Sequence, residues 1–269
     1  MSLKAKLEKL RFILKNIDSA LVAFSGGVDS SFLLAVCEDT LGKKTLAVTG
    51  ISPAISGSEV VQAKALAKKL KARHILIKEN PSKQFWENSP LRCYYCKKAL
   101  FGRLKKLAGS KKLSWVIEGS NADDSRDYRP GSRALKELNI RSPLKEAGLT
   151  KKDIRLLSFK FGLKSWNKPA MACLASRIPY GEKITPLKLE RVGRAEDLMR
   201  KLGFSQVRVR LSQDAARVEV EPGKISALVK KRKIISAGLK SLGFTYASID
   251  LDGYRTGSMN EALGWKQKR

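Results

Sequence analysis

The chain has 269 residues, 43% of them hydrophobic and 29% charged, which suits one or two domains with a sizeable core and excludes a disordered or low-complexity chain. Fifty-four basic residues against 25 acidic ones leave a net charge of +29, a balance that attracts polyanions. No apolar run is long enough to span a bilayer, so a membrane-spanning helix is excluded.

In chain order, residues 1–17 place Leu3, Leu7, Leu10 and Ile13 on one side of an amphipathic helix. The segment lacks a continuous apolar core and a small-residue cleavage site, so a cytoplasmic location is expected. Residues 20–24 form a short apolar strand. It ends at Ser25-Gly26-Gly27-Val28-Asp29-Ser30-Ser31, and a helical pattern closed by Gly42 follows. Residues 44–49, 73–78 and 115–120 read as further strands, separated by helical patterns over 57–71 and 94–108. Strands alternating with helices imply right-handed crossovers and an α/β fold with a doubly wound parallel sheet.

The pattern changes after about residue 160. Residues 186–202 and 224–241 read as helices, 207–211 and 216–221 alternate as strands do, and 246–253 is a last strand. These make a smaller C-terminal α+β domain. The expected division is 1–165 and 166–269, with a hinge among the prolines and glycine of 165–187.

The run from Ser25 to Ser31 is the strongest chemical signal. Two glycines let the backbone turn and approach an anion closely. The loop N–H groups and the start of the following helix then face a phosphate, and Ser25, Ser30 and Ser31 add hydroxyl donors. Asp29 would repel a bare phosphate but suits Mg²⁺ bridging two of them. No Gly-Lys-Ser/Thr follows, so this is not a Walker A loop. It resembles the PP-loop of the adenine nucleotide alpha-hydrolase type, found in ATP pyrophosphatases such as GMP synthetase. That resemblance implies that ATP is bound here and that the loop holds the leaving pyrophosphate. Ligands of open parallel sheets lie outside the C-terminal ends of the strands. Gly50, together with Gly119 and Asn121 of the Glu118–Asp124 segment, is therefore expected beside the nucleotide.

Four cysteines in an intracellular chain suggest ligands or nucleophiles rather than disulfides. Cys37, flanked by Leu34, Ala35 and Val36, reads as a buried hydrophobe. Cys93 and Cys96 form a C-x-x-C, which by itself allows a redox pair, half a zinc site or part of an iron–sulfur site. Cys173 follows Lys168-Pro169-Ala170-Met171-Ala172. The one histidine, His74, lies within a strand and is a poor fourth zinc ligand.

From about residue 20 to 263 the chain resembles the LarE family of ATP-dependent sulfur transferases. The likeness is carried by Ala23–Ser31, Tyr94–Lys98, Asp127-Tyr128-Arg129-Pro130-Gly131, Trp166-Asn167-Lys168, Cys173 with Ser176–Gly181, Val207–Arg210, Asp250-Leu251 and Arg255-Thr256-Gly257. The resemblance implies adenylation of a carboxylate of pyridinium-3,5-biscarboxylic acid mononucleotide and its conversion to a thiocarboxylate, a step toward the nickel-pincer nucleotide. In one branch of the family a cysteine at the position of Cys173 gives up its own sulfur. In the other, two further cysteines join it around a 4Fe-4S cluster, and Cys93, Cys96 and Cys173 match that branch. The resemblance also implies a homo-oligomer, with a hexamer as the expected form, and leaves the sulfur donor unnamed.

A substrate bearing phosphate and carboxylate calls for planar cations. Arg177, Arg208 and Arg210 are the candidates, with Ser176 as a hydroxyl donor; Arg208 and Arg210 are two apart on a strand and share a face. Glu196 and Glu219 match acidic family positions near substrate or metal. The run Lys230–Lys233 reads as a solvated helix face. A tRNA thiolation enzyme, using the same PP-loop and cluster chemistry, is the alternative that suits the positive charge, although no RNA-binding module is recognisable. A zinc-bound protein with a structural C-x-x-C is the second.

Overall fold

Apolar runs of three to seven residues build one parallel sheet of four strands. The computed structural model describes residues 1–126, 130–169 and 172–264, with only the backbone at 125 and 126. The elements run α1 (Leu3–Asn16), β1 (Ala20–Ala23), α2 (Val28–Leu41), β2 (Thr45–Ile51), α3 (Gly57–Lys69), β3 (His74–Lys78), α4 (Lys83–Trp86), α5 (Arg92–Ser110), β4 (Trp115–Ile117), α6 (Pro130–Glu137), α7 (Pro143–Glu146) and α8 (Lys151–Lys160). The sheet order is β3-β2-β1-β4, parallel throughout. The chain leaves β1 in both directions, so the gap between β1 and β4 is the switch point at which such sheets bind ligands.

Strand alternation sorts the core. Ala20 and Val22 of β1 and Ala47 of β2 pack with Leu10, Phe32, Ala63, Leu144 and Ile154 on one face. Leu21, Leu46 and Val48 pack with Phe101, Leu104 and Leu135 on the other. Both faces are covered by helices, as the expected doubly wound architecture requires. Two caps explain boundaries that periodicity alone leaves open. The Ser2 hydroxyl accepts from the Ala5 N–H (3.2 Å) at the start of α1. Thr150 and Asp153 form a reciprocal capping box at the start of α8.

Contacts divide the chain into two compact units: Met1–Phe85 with Leu91–Ala170, and Trp86–Pro90 with Met171–Arg269. Residues 166–169, expected in the second domain, lie with the first, where Arg155 donates to the carbonyls of Trp166 (2.8 Å) and Lys168 (2.9 Å). The second unit holds α9 (Pro186–Lys201), β5 (Val207–Ser212), β6 (Ala215–Val220), α10 (Ile225–Lys230), α11 (Arg232–Ser241) and β7 (Tyr246–Ile249). β5 and β6 are antiparallel and β6 and β7 parallel, giving a small mixed sheet. The single helix expected over 224–241 breaks at Lys231, and the Lys230–Lys233 run is exposed.

Trp86–Pro90 belongs to the second unit because Asn88 is completely buried there and its amide donates to the carbonyls of Ile178 (3.3 Å), Pro179 (2.7 Å) and Glu182 (2.8 Å). Asn88 sits at φ +56°, a left-handed backbone that asparagine tolerates better than most residues.

Candidate functional site

The loop after β1 has its expected form. Gly26 sits at φ +71°, and a Cβ there would meet Ala63 of α3 at 3.1 Å, so the position is closed to side chains twice over. The Ser30 hydroxyl ties the turn together: it donates to the Gly27 carbonyl (3.3 Å), accepts from the Ser25 N–H (3.3 Å) and shares a hydrogen bond with the Ser25 hydroxyl (3.0 Å). Val28 to Ser31 form the first turn of α2; the N–H groups of Val28, Asp29 and Ser30 lack helical partners and suit an anion, while that of Ser31 donates to the Gly27 carbonyl (3.0 Å).

Two polar atoms in this turn are buried with no hydrogen-bond partner: Asp29 Oδ1 and Ser31 Oγ. Buried polar groups are nearly always satisfied, so both atoms are free to take a ligand. A divalent cation fits Asp29 and a phosphate oxygen fits Ser31. Asp29 Oδ2 accepts from Lys151 Nζ at 2.6 Å. Burial pushes the Asp29 carboxyl up from its ordinary range, and Lys151 works against that shift.

The segment after β4 closes on the same turn. A Cβ on Gly119 would come within 3.0 Å of the Ser30 nitrogen, so only glycine permits this approach. Asn121 is buried and its side-chain oxygen accepts from the Asp123 N–H (2.9 Å). Glu118 anchors the turn by accepting from the Ser120 N–H (3.0 Å) and the Ser142 hydroxyl. Gly50 stands at the end of β2, where a Cβ would displace the carboxyl group of Glu79.

Lys151 and Lys168 are functional candidates that sequence reasoning passed over as individual site residues. Lys168 Nζ donates to the Gly26 carbonyl at 3.1 Å. Burial pulls its ammonium pKa down, a solvation loss that a phosphate would compensate. Two ammonium groups thus stand at the loop. The one available cue was Lys168 within the Trp166-Asn167-Lys168 likeness; nothing local marked Lys151.

Cys93 and Cys96 occupy the first turns of α5, three residues apart and hence on one face. Cys93 is exposed and Cys96 half-buried. Cys173, in the other unit, is exposed at the start of the 3₁₀ turn Leu174–Arg177. Two thiols on one helical face are a donor pair that zinc or an iron–sulfur cluster can take. Among the described residues of either unit, no three His, Cys, Asp or Glu side chains are grouped so as to hold a metal. Cys37 is fully buried and its thiol is pushed up by that burial, the behaviour expected of a core residue.

Within the second unit the structure joins Ser176, Arg177, Glu196, Arg210 and Glu219 into one polar system behind Cys173. Arg177 and Glu196 form a fully buried fork, with Nε to Oε1 at 2.7 Å and Nη2 to Oε2 at 3.0 Å. The other Arg177 nitrogen donates to the Ala172 carbonyl (3.0 Å) and the Ser176 hydroxyl (2.6 Å). Burial would raise the Glu196 carboxyl, but Arg177, Arg208 and the Val209 N–H hold it below its ordinary value. Arg210 pairs with Glu219 and donates to the Ser176 carbonyl (2.8 Å). Arg208 is buried rather than on a solvated strand face and lies over the Tyr254 ring at 5.1 Å. Burial, then the charge of Arg177, pull its pKa down. Asp127, Tyr128 and Arg129, part of the family likeness, lie outside the described residues.

No protein-family model matches the chain. It is 43% identical over 265 residues to an uncharacterised protein of Synechocystis, covering 97% of this chain and 99% of that one. An uncharacterised protein of Methanocaldococcus jannaschii is 30% identical over 236 residues, 88% of this chain and 90% of the relative. The pyridinium-3,5-bisthiocarboxylic acid mononucleotide synthase of Lactiplantibacillus plantarum is 36% identical over 265 residues, 97% of this chain and 96% of the synthase. By that full-length relationship, the chain belongs to the LarE family.

Proposed function

We propose that the chain is an enzyme that uses ATP to activate a carboxylate of pyridinium-3,5-biscarboxylic acid mononucleotide and exchanges an oxygen of it for sulfur. The full-length relationship to the Lactiplantibacillus synthase carries this reading. The Ser25–Ser31 loop supports it, because its unpartnered Asp29 Oδ1 and Ser31 Oγ suit a metal-bound polyphosphate.

In this reading a carboxylate oxygen attacks the α-phosphorus of ATP, the bond to the β-phosphate breaks, and pyrophosphate leaves into the loop. The backbone N–H groups of residues 26–30 and the ammonium groups of Lys151 and Lys168 stabilise the charge that builds on the leaving group. Asp29 would hold Mg²⁺, which supplies further positive charge there. AMP then departs with the activated oxygen as sulfur bonds to the acyl carbon, leaving a thiocarboxylate.

Cys93, Cys96 and Cys173 would hold a 4Fe-4S cluster, whose chemistry when bound is to present sulfide as the incoming sulfur. Arg177 and Ser176 brace the turn that carries Cys173, through the Ala172 and Cys173 carbonyls. Ser176, Arg208 and Arg210 supply the positive and hydroxyl groups for the phosphate of the mononucleotide, with Glu219 fixing Arg210 and Glu196 fixing Arg177 behind them.

Anaerobic reconstitution, followed by iron and sulfide analysis and by assay on the mononucleotide and on tRNA, tests the proposal. Iron and sulfide in cluster ratio with thiolation of the mononucleotide support it. Thiolation of tRNA alone selects the other substrate. One tight zinc per chain without sulfur transfer overturns it.

A further inference from the structure

Glu79 is the first residue beyond β3, and its N–H donates to the Ile51 carbonyl at 2.7 Å, so it stands at the C-terminal edge of the sheet. Its side chain turns back over Gly50: a Cβ added to Gly50 would lie 2.6 Å from the Glu79 carboxyl carbon and on its Oε1. The carboxylate thus fills the space that the glycine leaves. Among the described residues it makes no hydrogen bond; Arg103, the cation whose charge acts on it, donates instead to the Lys78 carbonyl at 2.6 Å. Burial pushes the Glu79 carboxyl up, only partly opposed by Arg103. An acceptor is therefore held at the edge of the sheet with no protein donor among the described residues.

The strand register fixes where that edge lies. Ala23 is level with Val48, and the Thr49 hydroxyl donates to the Phe24 carbonyl at 2.6 Å. Continuing the register brings Gly50 level with Ser25, the first residue of the phosphate loop, one strand away. β3 is one strand further, about 10 Å from β1 at the usual spacing. That span matches the reach of a nucleotide from its phosphates to the far side of its base.

On the reading that the loop binds ATP, we propose that Glu79 is the residue that selects the base, accepting a hydrogen bond from the exocyclic 6-amino group of adenine. A carboxylate accepts only, so a purine carrying a 6-oxo group in that place would set acceptor against acceptor. Gly50 is required because its missing side chain leaves room for this carboxylate.

Equilibrium binding of Mg·ATP and Mg·ITP to the full-length chain tests the assignment, since the two differ in the 6-substituent and in the protonation of N1. The wild type is expected to favour ATP by about tenfold or more, the value of one charge-assisted hydrogen bond. Glu79→Ala should remove most of that preference. Gly50→Ala should do the same with Glu79 still present, because the new Cβ displaces it. Glu79→Gln should retain ATP and gain ITP, since an amide can also donate. An unchanged ATP-to-ITP ratio in Glu79→Ala and Gly50→Ala, with wild-type melting curves, overturns the assignment while leaving the ATP reading intact. Failure of the wild type to bind ATP overturns both, which distinguishes the two failures. Should Glu79→Ala fail to fold, Glu79→Gln decides by its ratio alone, an unchanged preference counting against the proposal.

Discussion

Lys151 Nζ lies 2.6 Å from Asp29 Oδ2, although 122 residues separate the two. The ion pair opposes the upward push that burial gives this carboxyl, in the turn where the family resemblance expects a metal-bound pyrophosphate. Its second oxygen stays unsatisfied. Asp29→Asn removes the charge that would hold Mg²⁺. It is expected to lower ATP-dependent turnover about a hundredfold or more while the fold persists. Initial rates at saturating ATP, with circular dichroism as the folding control, check this.

Lys168→Ala should act differently. Its ammonium donates to the Gly26 carbonyl and feels the charge of Glu59, but its hydrogen bond is to a neutral group rather than to a carboxylate. Thermal stability is expected to change little, and pyrophosphate binding to weaken by about tenfold. Titration with pyrophosphate and Mg²⁺ measures this directly.

The Arg177–Glu196 fork is buried at both ends. Removing one partner strands the other, and Glu196→Ala is expected to destabilise the chain by about 3–5 kcal/mol. Replacing both by apolar residues should recover much of that loss. The folded-state pKa of Glu196 is depressed, so its contribution is present above the ordinary glutamate range and is lost as pH falls through the folded value. Denaturant midpoints across acid pH, for wild type and both variants, report the effect.

Glu38 behaves in the opposite sense. Burial pushes its carboxyl up to about 7, with Arg73 opposing, and Oε1 has no hydrogen-bond partner. The folded chain therefore holds this proton more tightly than the unfolded chain does. Stability is lost as pH rises from the ordinary glutamate value toward about 7. Glu38→Gln should flatten the pH dependence there and raise the melting temperature relative to wild type above neutrality.

Asn88 makes three amide contacts to carbonyls of 178–182. Asn88→Ala is expected to destabilise by about 2–4 kcal/mol, from lost hydrogen bonds and a left-handed backbone that alanine resists. Chemical denaturation checks the magnitude.

The parallel sheet was legible because its strands are short apolar runs that alternate with helical periods. The phosphate loop was legible because all its parts are contiguous, from Ser25 to Ser31. The lysines at the loop were not, because Lys151 and Lys168 gain their meaning only from contacts 122 and 142 residues away. The same holds for Trp86–Pro90, whose place in the second unit depends on Asn88 and carbonyls about ninety residues on. For Arg208 and Arg210, alternation gave the shared face correctly. It could not show that Glu219 and Tyr254 already engage them, since cross-strand and loop partners are set by tertiary packing.

The most direct measurement is the stoichiometry of AMP, pyrophosphate and thiocarboxylate formed from ATP, a sulfur source and pyridinium-3,5-biscarboxylic acid mononucleotide. Equal amounts of all three, formed about a hundredfold more slowly by the Asp29→Asn variant, and no thiocarboxylate in Cys173→Ala, are expected. Release of ADP and phosphate, or formation of thiocarboxylate without AMP, would contradict adenylation as the step that drives sulfur insertion.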